Sequence, residues 1–285
     1  FHKVISQSAC GDSFFSPEQA KKQRDKWLSY MGDPSGEELI NMSPKKLMSA
    51  NGTMDVVNIL SNGIDCVYNP VIDGEFMVCH PSELPQDKMN KKLLIGCTEN
   101  EASLFLFFGK WPLTMLPLAH KVAMPGYSDE LKKTVTSTLR FPTTDSLITL
   151  TTERMYQYPL TVLADNYSQG GNVYAYRYDY MPTLVKMLGL GAFHATDIPV
   201  LFDAGIMLGS LKIKATYSAL SDEVGTRMRH YWGSFAKNGC PDESWPQYTS
   251  EKRDTLIINE TDKVISDPYG ERMSLYADYV SPWKR

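Results

Sequence analysis

Three stretches of the chain carry strand patterns. Val4-Ile5-Ser6-Gln7-Ser8-Ala9 alternates enough to read as an amphipathic strand. Leu93-Leu94-Ile95-Gly96-Cys97, entered from the charged pair Lys91-Lys92, is a continuous apolar run, the pattern of a strand buried on both faces of a parallel sheet. Asn172-Val173-Tyr174-Ala175-Tyr176-Arg177-Tyr178 concentrates aromatic residues that pack well on a pleated surface. Around these stretches the period lengthens to that of helices. Ser16-Pro17-Glu18 supplies an N-cap, a proline at the first helical position and an acid in the first turn, which predicts a helix over 17–31, stopped by Gly32-Asp33-Pro34-Ser35-Gly36. Short helical turns follow over 37–40 and 43–50. Residues 103–170 read as helical, with breaks at 109–112, 117 and 125–126, and the longest helix spans 146–167 before Gly170-Gly171 closes it. An amphipathic helix over 222–238 ends at Gly239. Residues 69–76 are turn-rich and hairpin-like, residues 80–84 form a capped turn, and residues 256–259 with 263–265 predict a closing hairpin.

Strand, helices, strand, helices, strand, loop and helix in this order predict an α/β protein, with a mainly parallel sheet covered by helices. No linker or repeat divides the chain, so one domain over residues 1–285 is expected. Three strands are too few to bury so much helix. The sheet is therefore expected to continue beyond this chain, its free edge covered by a missing N-terminal half or by a homodimer formed through that edge.

With 42% hydrophobic and 22% charged residues, the 285-residue chain has a globular composition. The net charge of −4 and the interspersed signs leave no basic stripe for a nucleic acid. No apolar run approaches the roughly 20 residues that cross a bilayer, so no membrane partner is expected. The five cysteines, Cys10, Cys66, Cys79, Cys97 and Cys240, are scattered, with no C-x-x-C and no Cys/His pair at metal spacing. They read as free thiols of a cytoplasmic protein. The sequons at Asn41, Asn51, Asn166 and Asn259 keep secretion as the alternative without deciding it. The chain opens on Phe1 inside a strand pattern, which predicts a chain whose beginning is missing.

Two loops carry candidate chemistry. Thr98-Glu99-Asn100-Glu101-Ala102-Ser103 follows a strand at the carboxyl edge, where open α/β sheets place functional groups. His194 sits in a glycine-flanked loop after the next strand and suits either a general base or a histidine satisfied in a turn. His2, His80, His120 and His230 have no partner pattern and read as structural or surface residues. Aromatic and apolar side chains over 105–111 and 181–190 suit core packing or a pocket wall.

The segments Phe1-His2-Lys3-Val4-Ile5-Ser6-Gln7-Ser8, Pro70-Val71-Ile72-Asp73-Gly74, Gly96-Cys97-Thr98-Glu99-Asn100-Glu101-Ala102, Gly191-Ala192-Phe193-His194 and Trp232-Gly233-Ser234-Phe235-Ala236-Lys237-Asn238-Gly239 occur in order along the chain. Together they resemble landmarks of the type-B carboxylesterase/cholinesterase family. The resemblance implies the C-terminal portion of an α/β-hydrolase fold and a Ser-His-Glu triad used without cofactor or metal. It implies Glu101 as the acid, in preference to Glu99, and His194 as the base. Ser8 is implied as a supporting residue bonding Glu101; Asp197, three residues after His194, reads as capping the next turn or orienting the loop. No G-x-S-x-G occurs in the sequence, so the nucleophile is expected upstream. The expected function is hydrolysis of a small-molecule carboxylic ester by the complete protein, with the 285 residues alone inactive. The alternative is a non-catalytic, cholinesterase-like binding protein. Two departures stand out: Ala102 replaces the glycine after the acid, and residues 11–65 lack the cysteine of the secreted cholinesterases, which points to a bacterial intracellular esterase.

Overall fold

The computed structural model describes residues 1–9, 13–48, 69–104, 129, 132–133, 137, 143–204, 206–208, 211–213 and 219–276. Cys10, Cys66, Asn51, His120 and residues 105–111, on which several expectations fall, lie outside them. The chain divides into two compact units, one of Phe1–Gly11, Pro81–Pro112 and Thr144–Tyr276, the other of Asp12–His80, Leu113–Thr143 and Ala277–Arg285.

The first unit is built on a five-stranded sheet. Strands β1 (Lys3–Gln7), β2 (Lys92–Thr98) and β3 (Asn172–Tyr178) come from the three strand patterns, and β6 (Asp254–Ile258) and β7 (Lys263–Ser266) complete the order β1-β2-β3-β6-β7. The first four run parallel and β7 is antiparallel to β6. The three-strand count was therefore too low. The closing hairpin lies in the main sheet, because Leu256, Ile257 and Ile258 are buried and β6 pairs with the carboxyl half of β3. A separate antiparallel pair joins β4 (Ile206–Leu208) to β5 (Leu211–Ile213).

Alternation along β3 decides the core. Tyr174, Tyr176 and Tyr178, two apart, pack with Leu94 of β2 against Val224, Met228, Trp232 and Phe235 of the long helix α7 (Ala219–Asn238). Trp232 meets Tyr176 edge-on, with ring centroids 5.0 Å apart. Aromatic pairs of this kind contribute about 0.5–1.5 kcal/mol beyond their buried area. The close approach of β2 to β3 depends on Gly96, where a Cβ would lie 2.2 Å from Tyr176 Cδ1 and 2.4 Å from the Tyr176 carbonyl oxygen.

The predicted helix over 146–167 is interrupted. It forms α3 (Thr144–Thr152), a π turn (Glu153–Gln157) and α4 (Tyr158–Tyr167), and α4 packs on β2 and β3. Two short helices, α5 (Thr183–Leu188) and α6 (Asp197–Leu201), flank the His194 loop.

In the second unit, α1 (Pro17–Tyr30) starts at a reciprocal capping box: Ser16 Oγ accepts from the Gln19 N–H and Gln19 Oε1 from the Ser16 N–H. Its Trp27 is buried among Leu28, Met31, Leu47 and Leu39 of α2 (Gly36–Ile40). The hairpin expected over 69–76 is a loop instead. Val71 makes one isolated bridge to Phe15, and the Asp73 carboxylate collects the N–H groups of Glu75, Phe76 and Met77, satisfying in a turn the donors a ladder would have used.

Candidate active site

Parallel pairing brings the ends of three strands to one edge. Gln7 pairs with Gly96 and Thr98 with Tyr178, so Ser8, the 98–103 loop and the chain after Tyr178 all leave the sheet on the same side. The backbone then ties the loops together. The Asn100 N–H donates to the Ala192 carbonyl at 2.9 Å, the His194 N–H to the Glu101 carbonyl at 3.3 Å, and Ser103 Oγ to the Leu190 carbonyl at 2.6 Å. Gly191 permits this approach: at φ 68° it adopts the left-handed region, and a Cβ there would meet the Asn100 amide at 2.5 Å.

Glu101 is fully buried and accepts three hydrogen bonds. Oε1 takes the Thr98 N–H and the Ser8 hydroxyl, each at 2.6 Å, and Oε2 lies 2.5 Å from His194 Nδ1. As the acceptor facing Nδ1, the carboxylate fixes Nδ1 as the protonated nitrogen and leaves Nε2 as the basic one. The His194 side chain keeps 32% exposure, so the ring is reachable while its carboxylate is not. Burial alone lowers the His194 pKa, but the hydrogen bond it donates to Glu101, the charge of Glu101 and that of Asp197 together outweigh this and raise it above the ordinary histidine value. The non-glycine residues Ser8 (φ 51°), itself a partner of Glu101, and Ala195 (φ 65°), next to His194, are held in the left-handed region. Such conformations cost about 1–3 kcal/mol each and persist where surrounding contacts over-determine them.

Asp197 does not cap a turn. Thr196 occupies the N-cap of α6 without a side-chain capping bond, and the buried Asp197 carboxylate accepts from Gln7 Nε2 at 2.9 Å. Gln7 Oε1 in turn accepts the indole N–H of Trp232 at 3.0 Å. Burial, reinforced by the negative charge of Glu101, pushes the Asp197 pKa up against the lowering effect of the Gln7 bond. Glu99 belongs to a different group: Asn100 Nδ2 donates to it at 3.2 Å, and burial, then Asp179, raise its pKa while Arg177 pulls it down. Arg177 itself grips Asp179 with two bonds of 2.7 and 2.8 Å. Ala102 has no positive φ and is fully buried with its N–H on Thr152 Oγ1, so the glycine it replaces is not needed for backbone freedom. Of the other histidines, His80 is buried edge-on to Phe14 and His230 pairs with Asp242 at 3.2 Å.

The family model of carboxylesterases matches residues 1–276. The chain belongs to the carboxylesterase family. Among curated proteins it is 25% identical to the para-nitrobenzyl esterase of Bacillus subtilis, over 95% of this chain and 56% of that protein. It is 25% identical to a probable N-octanoylanthranilate hydrolase of Rhodococcus erythropolis, over 92% and 54%. It is 23% identical to the acetylcholinesterase of Bungarus fasciatus, over 75% and 38%. The chain thus spans about half the length, or less, of the curated relatives it matches. Solved structures agree on the architecture. A PNB esterase superposes with a TM-score of 0.75 at 21% identity, covering 96% of this chain and 57% of that one. A Geobacillus stearothermophilus carboxylesterase gives 0.71 at 25% identity, covering 97% and 58%. The fold of this carboxylesterase-family chain is that of the α/β hydrolases, a mostly parallel sheet with covering helices.

Sequence reasoning singled out Ser8, Glu101, His194 and Asp197. The structure joins the first three directly and reaches Asp197 through Gln7 of β1. It missed Gln7, Trp232, the Thr98 N–H and Tyr156, whose ring lies 5.6 Å from the His194 ring. Gln7 and Trp232 lie within the quoted landmarks, but nothing in either landmark indicates that they meet. Tyr156 carries no sequence signal, because helical periodicity does not announce a π turn. Among the described residues, no group of three or more His, Cys, Asp or Glu side chains is arranged to hold a metal, and no helix is long and apolar enough to cross a membrane.

Proposed function

We propose that this chain supplies the general base, His194, and its orienting carboxylate, Glu101, to a serine carboxylic ester hydrolase. The observation that carries the reading is the 2.5 Å contact between His194 Nδ1 and a buried, three-fold hydrogen-bonded Glu101. Family membership and relatives named as esterases support the reaction class. In the proposed cycle, His194 Nε2 takes the proton of a serine hydroxyl as its oxygen attacks the ester carbonyl. The imidazolium, held by Glu101, then returns that proton to the departing alkoxide. Water, deprotonated by the same nitrogen, attacks the acyl-enzyme, and the imidazolium returns that proton to the departing serine oxygen as the carboxylic acid is released. None of the 285 residues lies in a G-x-S-x-G motif, so the serine is assigned to a segment outside this sequence. The outer edge of β1, a terminal strand of the sheet, is where we place the strand that carries it.

Because the base acts only when neutral and its pKa is raised, the rate rises with pH through a limb above the ordinary histidine value. The deciding assay measures p-nitrophenyl butyrate hydrolysis by the complete protein with and without His194→Ala. A loss of at least a thousandfold is expected. Equal rates would remove His194 from the chemistry, and absence of turnover with an intact serine motif would leave a binding protein of the same fold.

A further inference from the structure

The π turn Glu153–Gln157 touches both loops of the site. Thr152, just before it, accepts the Ala102 N–H at 3.1 Å, Gln157 Nε2 donates to the Glu99 carbonyl at 3.3 Å, and Tyr156 lays its ring against His194, tilted by 42°. In an α-helix, residues five apart point about 140° away from each other. A turn whose N–H groups reach back five residues brings them much closer to the same face. Thr152 and Tyr156, four apart, share a face in either geometry, and the π turn swings Gln157 round towards that face. The turn is itself anchored, since Glu153 receives two bonds from Arg272 (2.5 and 2.8 Å) and one from the Tyr276 hydroxyl (2.6 Å). All five of its residues are buried, with Tyr156 at 2% exposure.

The bond from Nδ1 to Glu101 fixes one end of the imidazole but opposes rotation of the ring about its own bond only weakly. The Tyr156 ring adds a second contact, its centroid 5.6 Å from that of the imidazole. We propose that Tyr156, presented by the π turn, is a positioning residue that keeps the His194 imidazole from turning out of its bond with Glu101. The proposal builds on the assigned role of His194 as base. Among the described residues, Glu101 and Asp197 are charged groups acting on the imidazole, and the π turn carries Glu153, paired with Arg272, and the buried Arg154.

The test compares Tyr156→Leu and Tyr156→Phe by NMR titration of the His194 imidazole and by kcat and KM of the complete protein. Tyr156→Leu is expected to broaden or abolish the Nδ1 proton signal, to move the His194 titration down towards the ordinary value, and to lower kcat ten- to hundredfold with KM changed less than threefold. Tyr156→Phe keeps the ring and is expected to rescue all three. An unchanged signal, titration and kcat in Tyr156→Leu would overturn the proposal. So would loss of the signal in Tyr156→Phe, which would transfer the role to the hydroxyl, and that variant decides the matter should Tyr156→Leu fail to fold. The NMR readouts need no turnover. A protein without esterase activity would defeat the functional assignment while leaving the effect of Tyr156 on the imidazole measurable.

Discussion

Replacing Glu101 by glutamine tests the site at its most constrained atom. The carboxylate faces three donors, the Thr98 N–H, the Ser8 hydroxyl and His194 Nδ1. The variant has one oxygen and one NH2. The Thr98 N–H is a backbone donor and cannot change role, so the amide oxygen must stay on it and the NH2 must confront His194. The imidazole can meet an NH2 only by moving its proton to Nε2, which makes Nδ1 the acceptor and removes the basic nitrogen from the reacting side. A comparable loss of tautomer in a serine protease triad costs about 10,000-fold in kcat, or about 5.4 kcal/mol in barrier, and a fall of that order is expected here. Stability falls less. Two charge-assisted bonds become neutral and the third changes partner roles, a gross loss of about 4 kcal/mol at about 1–2 kcal/mol for each change. Relief from burying a charge offsets part of it, leaving roughly 2–3 kcal/mol. The pH dependence carries the signature. The raised pKa of His194 means that its ionic contribution to stability is fully present below the ordinary histidine value and is lost as pH rises through the folded-state value. Glu101→Gln should abolish that loss, so urea denaturation of both proteins should give stabilities that converge as pH rises from 5.5 to 8.5. A variant with kcat within tenfold of the parent, or with the parental pH slope of stability, would refute the reasoning.

Three further outcomes follow from single contacts. Ser8→Ala removes a 2.6 Å bond to a buried carboxylate and keeps the strained φ of 51°, so a loss of about 2 kcal/mol is expected in urea denaturation. Ser8→Gly, relieved of that strain, should lose no more than Ser8→Ala. Asp197→Asn keeps an acceptor for Gln7 and removes the second negative charge acting on His194, so the acidic limb of kcat/KM should move to lower pH, and a limb that stays or rises would contradict the assignment. Gly96→Ala drives a Cβ into the Tyr176 ring and its backbone oxygen, which is fixed in a paired strand. A loss of about 3 kcal/mol or more is expected, and a loss below 1 kcal/mol would show that β2 and β3 can separate at this point.

How much of the site was legible in the sequence depends on how local each signal is. Ser16-Pro17 and Gln19 specify the start of α1 among themselves, and the apolar run from Leu93 and the aromatic run from Val173 specify strands within a residue or so of their ends. These are properties of neighbouring residues, and a chain that has not yet folded already possesses them. The two loops at strand ends were legible for the same reason. Ser8 and Glu101 are 93 residues apart, as are Glu101 and His194, and only the parallel register of Gln7 with Gly96 and of Thr98 with Tyr178 brings them within hydrogen-bond distance. A one-residue slip in that register would turn every strand-end side chain to the other face. Three features were decided by packing alone. The Trp232–Gln7–Asp197 chain links α7, β1 and α6, the placement of β6 and β7 in the main sheet depends on buried Leu256 and Ile258, and the π turn replaces a helix that periodicity draws as continuous. The sequence by itself determined β1, β2, β3, α1 and α7 and which two loops carry a histidine and a carboxylate. Resemblance preferred Glu101 to Glu99, but only the tertiary structure brings the Glu101 carboxylate to His194, because the two are alike in composition and differ in which of them the strand end turns inward.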